Sequence, residues 1–171
     1  NNDVLAIVVE AMGRVNFGRG IYDYKGLSGE VFLKAGNKVR KLTGWDVYTI
    51  PVDYDFVRKA DYPKAAATET PAFYRGNFTL IKTGDTYLNM AEWKKGLVWV
   101  NGHCLGRYWE RGPQQTLFLP GCWLKEGENE VIVFELGQVA SGNLEGLSLP
   151  VSDVVKGMVA TTHRKQGESL L

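Results

Sequence analysis

Cysteine and histidine are scarce in this sequence, with two of each in 171 residues. Two thiols cannot build a disulfide scaffold or a four-thiolate zinc site. For Cys104 and Cys122 two states stay open, a single bridge or two free thiols. His103 and Cys104 are adjacent, which is a poor chelate spacing, so no metal and no cofactor is expected. Charge of one sign is also lacking. Twenty basic against 19 acidic residues leave a net +1, which indicates neither nucleic acid nor a membrane surface as partner. No apolar run approaches transmembrane length. The opening "NNDVLAIVVE" has no Met, no basic flank and no leader core. The chain is therefore expected to be a mature or excised piece whose compartment no leader reveals.

Catalytic signatures are thin as well. "GRGIYDYKG" contains glycines but neither the dinucleotide fingerprint nor a following helix. Neither histidine has a serine or cysteine in a usable context, since His103 and Cys104 would point to opposite faces of a strand. Glycoside hydrolysis needs two carboxylates across one bond, roughly 5–9 Å apart, and no spacing in the chain pairs two of them. Glu126, Glu128 and Glu130 read as a solvated turn. Glu10 and Glu135 differ, because each sits in an otherwise apolar strand; each is a rim carboxylate or needs partners if buried. The triplet "NFT" at Asn77 fits a glycosylation sequon but lies inside an expected strand.

What the chain does have is strand pattern and aromatic mass. It is 44% hydrophobic and 12% aromatic, enough for a sizeable core. "DVLAIVVE", "GEVFLKAG", "GWDVYTIPV", "FYRGNFTLIK", "TYLNMAEW", "GLVWVNG", "LGRYW", "QTLFLP" and "NEVIVFEL" are short segments bounded by Gly, Pro, Asn or Asp. Such spacing, without long helical periods, predicts an all-β sandwich or barrel. One or two helical turns are expected in "VDYDFVRKA", with Asp53 as N-cap, and another in "PVSDVVKGM". "RKADYPKAAATETPA" reads as a surface linker or long loop.

The densest stretch is "GLVWVNGHCLGRYW". Val98 and Val100 share one strand face, Leu97 and Trp99 the other. Asn101-Gly102 supplies the positive φ angles of a tight turn, and the chain returns through Leu105, Arg107 and Trp109. Trp99 is expected between sheets. Tyr108 and Trp109, near the "ERGPQQ" loop, are the candidate contacts for a sugar or a partner domain.

These blocks resemble a known family. "AMGRVNFGRGIYDYKGLSGEVFL" is similar to the Met-Gly-Arg-(Val/Ile)-Asn-(Tyr/Phe)-Gly segment, followed by Asp-x-Lys-Gly, of family 35 glycoside hydrolases, the β-galactosidases. "PAFYRGNFTL" and "KGLVWVNGHCLGRYWERGPQQTLFLPGCWLKEGENEVIVFEL" are similar to their C-terminal β-domain, in the same order. The resemblance covers roughly residues 4–136. It implies an all-β fold, a jelly-roll β-sandwich of the galactose-binding-domain-like type, following a catalytic (β/α)8 barrel that carries both catalytic glutamates. The chain alone is then expected to be inactive, with no catalytic residue of its own. It would support the barrel as partner and wall its galactose site through Arg14, Asn16, Phe17, Tyr22, Asp23 and Lys25. Phe17 stands where tyrosine also occurs, so packing survives there without a hydroxyl. Cys104 and Cys122 stand at loop positions where Asn and Pro are common.

The implied organisation is 1–50 as trailing strands of a preceding β-domain or part of the same sandwich, 51–71 as linker, 72–150 as the sandwich and 151–171 as a tail. "VASGNLEGLSLPVSDVVKGM" is expected to hold a closing strand. A typical parent would be periplasmic, secreted or lysosomal. Two alternatives remain at this point, a free carbohydrate-binding module for galactosides and a protein-interaction β-sandwich.

Overall fold

The computed structural model describes residues 4–11, 16–18, 21, 26–60, 62, 71–139, 142–154 and 156. They fall into two compact units that divide between Thr49 and Ile50.

In the first unit, strands β1 (Phe32–Ala35) and β2 (Lys38–Lys41) pair antiparallel as a sheet of their own. Gly36, at φ 59°, turns the hairpin as a residue without a Cβ readily does. Lys41 pairs with Glu30. No described side chain of this unit is buried. "VLAIVVE" (4–10) and "GWDVYTI" (44–50), expected as strands, join no ladder. The apolar run of the first and the alternation of the second are real, but a strand exists only through the neighbour that takes its N–H and C=O groups. No such neighbour is present among the described residues.

The second unit holds every buried apolar residue among those described. Helix α1 (Tyr54–Val57) is capped as expected: Asp53 Oδ1 accepts from the Phe56 N–H at 2.8 Å. A four-stranded antiparallel sheet runs in the order β3 (Ala72–Leu80), β8 (Gly127–Glu135), β5 (Lys95–Val100), β6 (His103–Trp109). A three-stranded sheet runs β7 (Thr116–Leu119), β4 (Thr86–Asn89), β9 (Glu145–Leu147). The fold is an all-β sandwich, with one short α-helix among the described residues. β9 is the closing strand expected in the C-terminal stretch. The helix expected in "PVSDVVKGM" does not form over 151–154; those residues are held instead by Gln115 and Thr116, which bond Val151 and Val154.

Strand alternation builds two cores. One face of the larger sheet gives Val98, Val100, Tyr108 and Val133, which pack with Met90, Trp93, Leu88, Leu117 and Leu119 against the smaller sheet. The other face gives Trp99, Ile132 and Phe134, packed with Val57 and flanked by Val52, Tyr54, Tyr62 and Phe73. Trp99 is core as expected, yet on this second face and not between the sheets. Part of the segment read as linker, 52–60 with Tyr62, forms its cover: Val57 is fully buried, and the Tyr62 hydroxyl donates to the Val57 carbonyl. Burying each such side chain stabilises by about 1.5–3 kcal/mol.

The β5–β6 turn is as expected, with Asn101 at φ 48° and Gly102 at φ 87°. Asn101 Nδ2 donates to the Trp123 carbonyl and to Asn129 Oδ1, while its Oδ1 accepts from the Glu130 N–H. Asn129 is fully buried and bonded at both ends of its amide. Cys104 lies on β6 and Cys122 in the 3-10 turn Gly121–Trp123; both are free and exposed. The loop placement of Cys104 is thus corrected, because the two-residue turn lets the return strand begin at His103.

Gly96 has the tightest packing of the described glycines. It lies between Tyr108 on β6 and Glu135 on β8 in the ladder. An added Cβ would overlap the Phe134 carbonyl and come 2.7 Å from Tyr108 Oη. Replacing Gly96 with Ala should therefore cost about 3 kcal/mol or more. A urea midpoint equal to that of the parent chain would contradict this packing.

Candidate functional site

The region around Gly96 is also where the two expected sugar contacts lie. Because Gly96 has no side chain, the Tyr108 ring can cross it. The Tyr108 hydroxyl lies 3.1 Å from the Phe134 carbonyl oxygen and 3.2 Å from Glu135 Oε2, and donates toward both. Tyr108 is only 5% exposed. Its expected role as a sugar contact is corrected on that ground, since burial leaves it no face for a ligand. Burial, then the charge and hydrogen bond of Glu135, hold its phenol well above the ordinary tyrosine range.

Glu135 is the rim-or-buried carboxylate of the sequence reading, and it is buried, at 0% exposure. It has the partners burial demands. Oε2 accepts from the Lys94 N–H at 2.8 Å, and Oε1 accepts from the Lys95 and Gly137 N–H groups at 3.0 and 2.7 Å. With Tyr108, four donors surround one carboxylate. Its chemistry is structural, because it ties the start of β5 and the loop after β8 to one anchor.

Trp109 is half-buried at the end of edge strand β6. Its ring is engaged by two cations, Lys95 Nζ at 4.4 Å and the Arg111 guanidinium at 5.2 Å from the centroid. Tyr108 and Trp109 are neighbours in sequence that strand alternation sends to opposite sides, so they form no joint platform.

Of the residues expected to face a barrel, Asn16 and Phe17 are exposed, Phe17 at 88%. Arg14, Tyr22, Asp23 and Lys25 lie outside the described residues. Among the described residues no group of three His, Cys, Asp or Glu side chains is placed to hold a metal.

An open cleft of about 370 Å³ lies at the opposite end of the β5–β6 hairpin, between the N-terminal segment of the second unit and the 3-10 turn. Tyr54, Asn101, Trp123, Lys125 and Glu130 line it. The Tyr54 hydroxyl donates to Glu130 Oε2 at 3.1 Å, and Arg75 donates to Glu130 Oε1. The His103 ring stacks on Trp123 at 4.5 Å. No pattern in the sequence joined these residues, since the cleft is assembled from four separate segments.

Comparison with known proteins bears on this geometry. Residues 71–129 match the family described as "Beta-galactosidase, galactose-binding domain", and residues 1–51 match "Beta-galactosidase, first all-beta domain". These are β-galactosidase-family domains. The chain is 43% identical over 138 residues to Beta-galactosidase-1-like protein 2 of Homo sapiens, covering 77% of this chain and 21% of that protein. It is 38% identical over 154 residues to Beta-galactosidase of Bos taurus, covering 77% of this chain and 23% of that protein. Against Beta-galactosidase 1 of Dictyostelium discoideum it is 37% identical over 142 residues, with 77% and 20% covered. The chain thus spans about a fifth of the length of these relatives. The galactose-binding domain match includes Gly96, Asn101, Tyr108, Trp109 and Trp123; the first all-beta domain match includes Asn16 and Phe17.

The Tyr108 environment in the galactose-binding domain gives a pH dependence of known sign. Its proton is held more tightly folded than unfolded, so stability is fully present below the unfolded tyrosine pKa of about 10. Stability should fall as pH rises above that value, toward the higher folded-state pKa. Y108F should flatten the fall without abolishing it, because Tyr54, Tyr62 and Tyr74 are raised too, each chiefly by burial. Urea midpoints taken from pH 8 to 11 in both chains check this; parallel curves would contradict it.

Proposed function

We propose that this chain is a non-catalytic β-sandwich portion of a β-galactosidase-like glycoside hydrolase. Its second unit is a self-sufficient brace, and its first unit docks on the catalytic barrel and walls the galactose site through residues 14–25. One observation carries the reading. The first unit exposes apolar side chains that a folded domain normally covers, among them Val4, Phe17, Val47 and Tyr48. Patches of this kind mark interfaces. Among the described residues of 14–25, Asn16 and Phe17 offer an amide and a flat apolar ring to a neighbour, the residue types that close a sugar site without reacting.

A free galactoside-binding module resting on Tyr108 and Trp109 is less well supported, because Tyr108 is buried and the Trp109 ring is covered by Lys95 and Arg111. Glu130 and Glu135 are both committed to structural bonds.

The test is reconstitution. The purified chain should not hydrolyse a chromogenic β-galactoside by itself. Co-expression with the barrel-containing remainder of its parent should give a complex that does. F17S in that complex should raise KM several-fold with the complex intact. Turnover by the isolated chain, or a barrel equally active and soluble without it, would sink the proposal.

A further inference from the structure

Barrel docking leaves the Asn77-Phe78-Thr79 triplet unused, and the triplet lies on a long, open sheet edge of the second unit. We propose that Asn77 is an N-glycosylation site and that the glycan shields the edge of β3 from pairing with another strand.

An edge strand presents unpaired N–H and C=O groups that template association unless something blunts it. Among the described residues, four strands border the two sheets of the second unit: β3, β6, β7 and β9. Strands β7 and β9 have only four and three residues. Strand β6 is interrupted by a register shift opposite Val98 and Trp99, and it carries His103 and Arg107. Strand β3 has none of these guards. It runs nine residues in unbroken register with β8, from the Ala72–Glu135 pair to the Leu80–Gly127 pair. It contains no proline and no lysine, and its one charge, Arg75, is tied to Glu130. No described strand pairs with its other side.

The acceptor lies near the middle of that edge. Alternation turns Phe78 inward against the main core and sends Asn77 and Thr79 together to the outer face. Both are exposed, and their side chains enter no hydrogen bond or ion pair among the described residues. The cover of this face reaches Arg75 through Tyr62 and Glu130 through Tyr54, and leaves Asn77 open. An Asn amide with a Thr hydroxyl two residues on is the pair a glycan transferase requires, and the sequence holds such a triplet once. In the transfer, Asn77 Nδ2 displaces diphosphate from the anomeric carbon of a polyprenyl-diphosphate-linked oligosaccharide. The C–N bond forms, the C–O bond to diphosphate breaks, and the amide proton passes to a base of the transferase. A bulky, solubilising group so placed denies a second strand its approach along β3 without touching the core.

This assignment shares no residue with barrel docking, so either can fail alone. The test is secretion of the full chain from insect cells behind a cleavable leader, alongside T79S, T79A and T79K. Intact mass is measured before and after peptide N-glycosidase treatment. The parent chain and T79S should each lose a glycan, with the change mapped to Asn77; T79A and T79K should carry none. Sedimentation at matched concentrations then reads the shield. T79A should self-associate about tenfold more tightly than the glycosylated parent. T79K also lacks the glycan but places a lysine on the edge, which guards a strand directly, and should return to the parent's behaviour. Association through the first unit is common to all four chains and cancels in the comparison. Thr79 is exposed, so no variant removes a core contact; should T79A misfold, the enzymatically stripped parent takes its place. An unmodified Asn77 in the secreted chain, equal association with and without the glycan, or T79K associating as tightly as T79A would each overturn the assignment.

Discussion

A carboxylate with no exposed surface holds the second unit together. Removing a charge from water is costly, and it persists in a protein only where donors replace the lost hydration. Around Glu135 those donors are three backbone N–H groups and one phenol. Together they tie down three pieces of chain: the approach to β5 through Lys94 and Lys95, the loop after β8 through Gly137, and edge strand β6 through Tyr108. The geometry in turn demands a glycine at position 96, because only a missing side chain lets Tyr108 reach across β5. One buried charge thereby dictates residues on three strands. It also removes Tyr108 from the surface, where a ligand would have needed it.

Much of this was legible in the sequence, and what was not has identifiable causes. The ladder strands from β3 to β8 follow from alternation and turn residues, since both are local properties. The Asn101-Gly102 turn and the Asp53 cap follow from side-chain and backbone chemistry within a few residues. The Glu135 cluster does not, because register decides which residues stand beside Gly96. A glutamate in an apolar strand signals only that some partner is required. The cover formed by 52–60 and Tyr62 was hidden for a related reason. The prolines and small residues of the adjoining 58–72 stretch read as linker, whereas burial of Val57 depends on an outer sheet face that already carries Trp99 and Phe134. The cleft draws on four segments, and no linear pattern joins them. The family resemblance was legible because long blocks such as "VNGHCLGRYWERGPQQTL" carry far more information than any one strand.

The two units differ in kind. In the second, alternation on both faces of one sheet is answered by a second sheet on one side and by helix α1 on the other. In the first, the apolar residues of 4–9 and 45–49 stay largely exposed. Hydrophobic burial is the dominant stabilising term in folding, so the second unit carries the stability while the first keeps its apolar side chains exposed. The role proposed above, a brace that folds and a face that docks, would use both.

Native-state hydrogen exchange on the isolated chain tests that division most directly, because it reads local stability residue by residue. The account predicts that the Lys94, Lys95 and Gly137 amides exchange only with global unfolding, together with the centre of β5 and β8. Amides of residues 4–10 and 44–50 should exchange orders of magnitude faster. Equal protection in the two units, or early exchange of the three amides around Glu135, would contradict it.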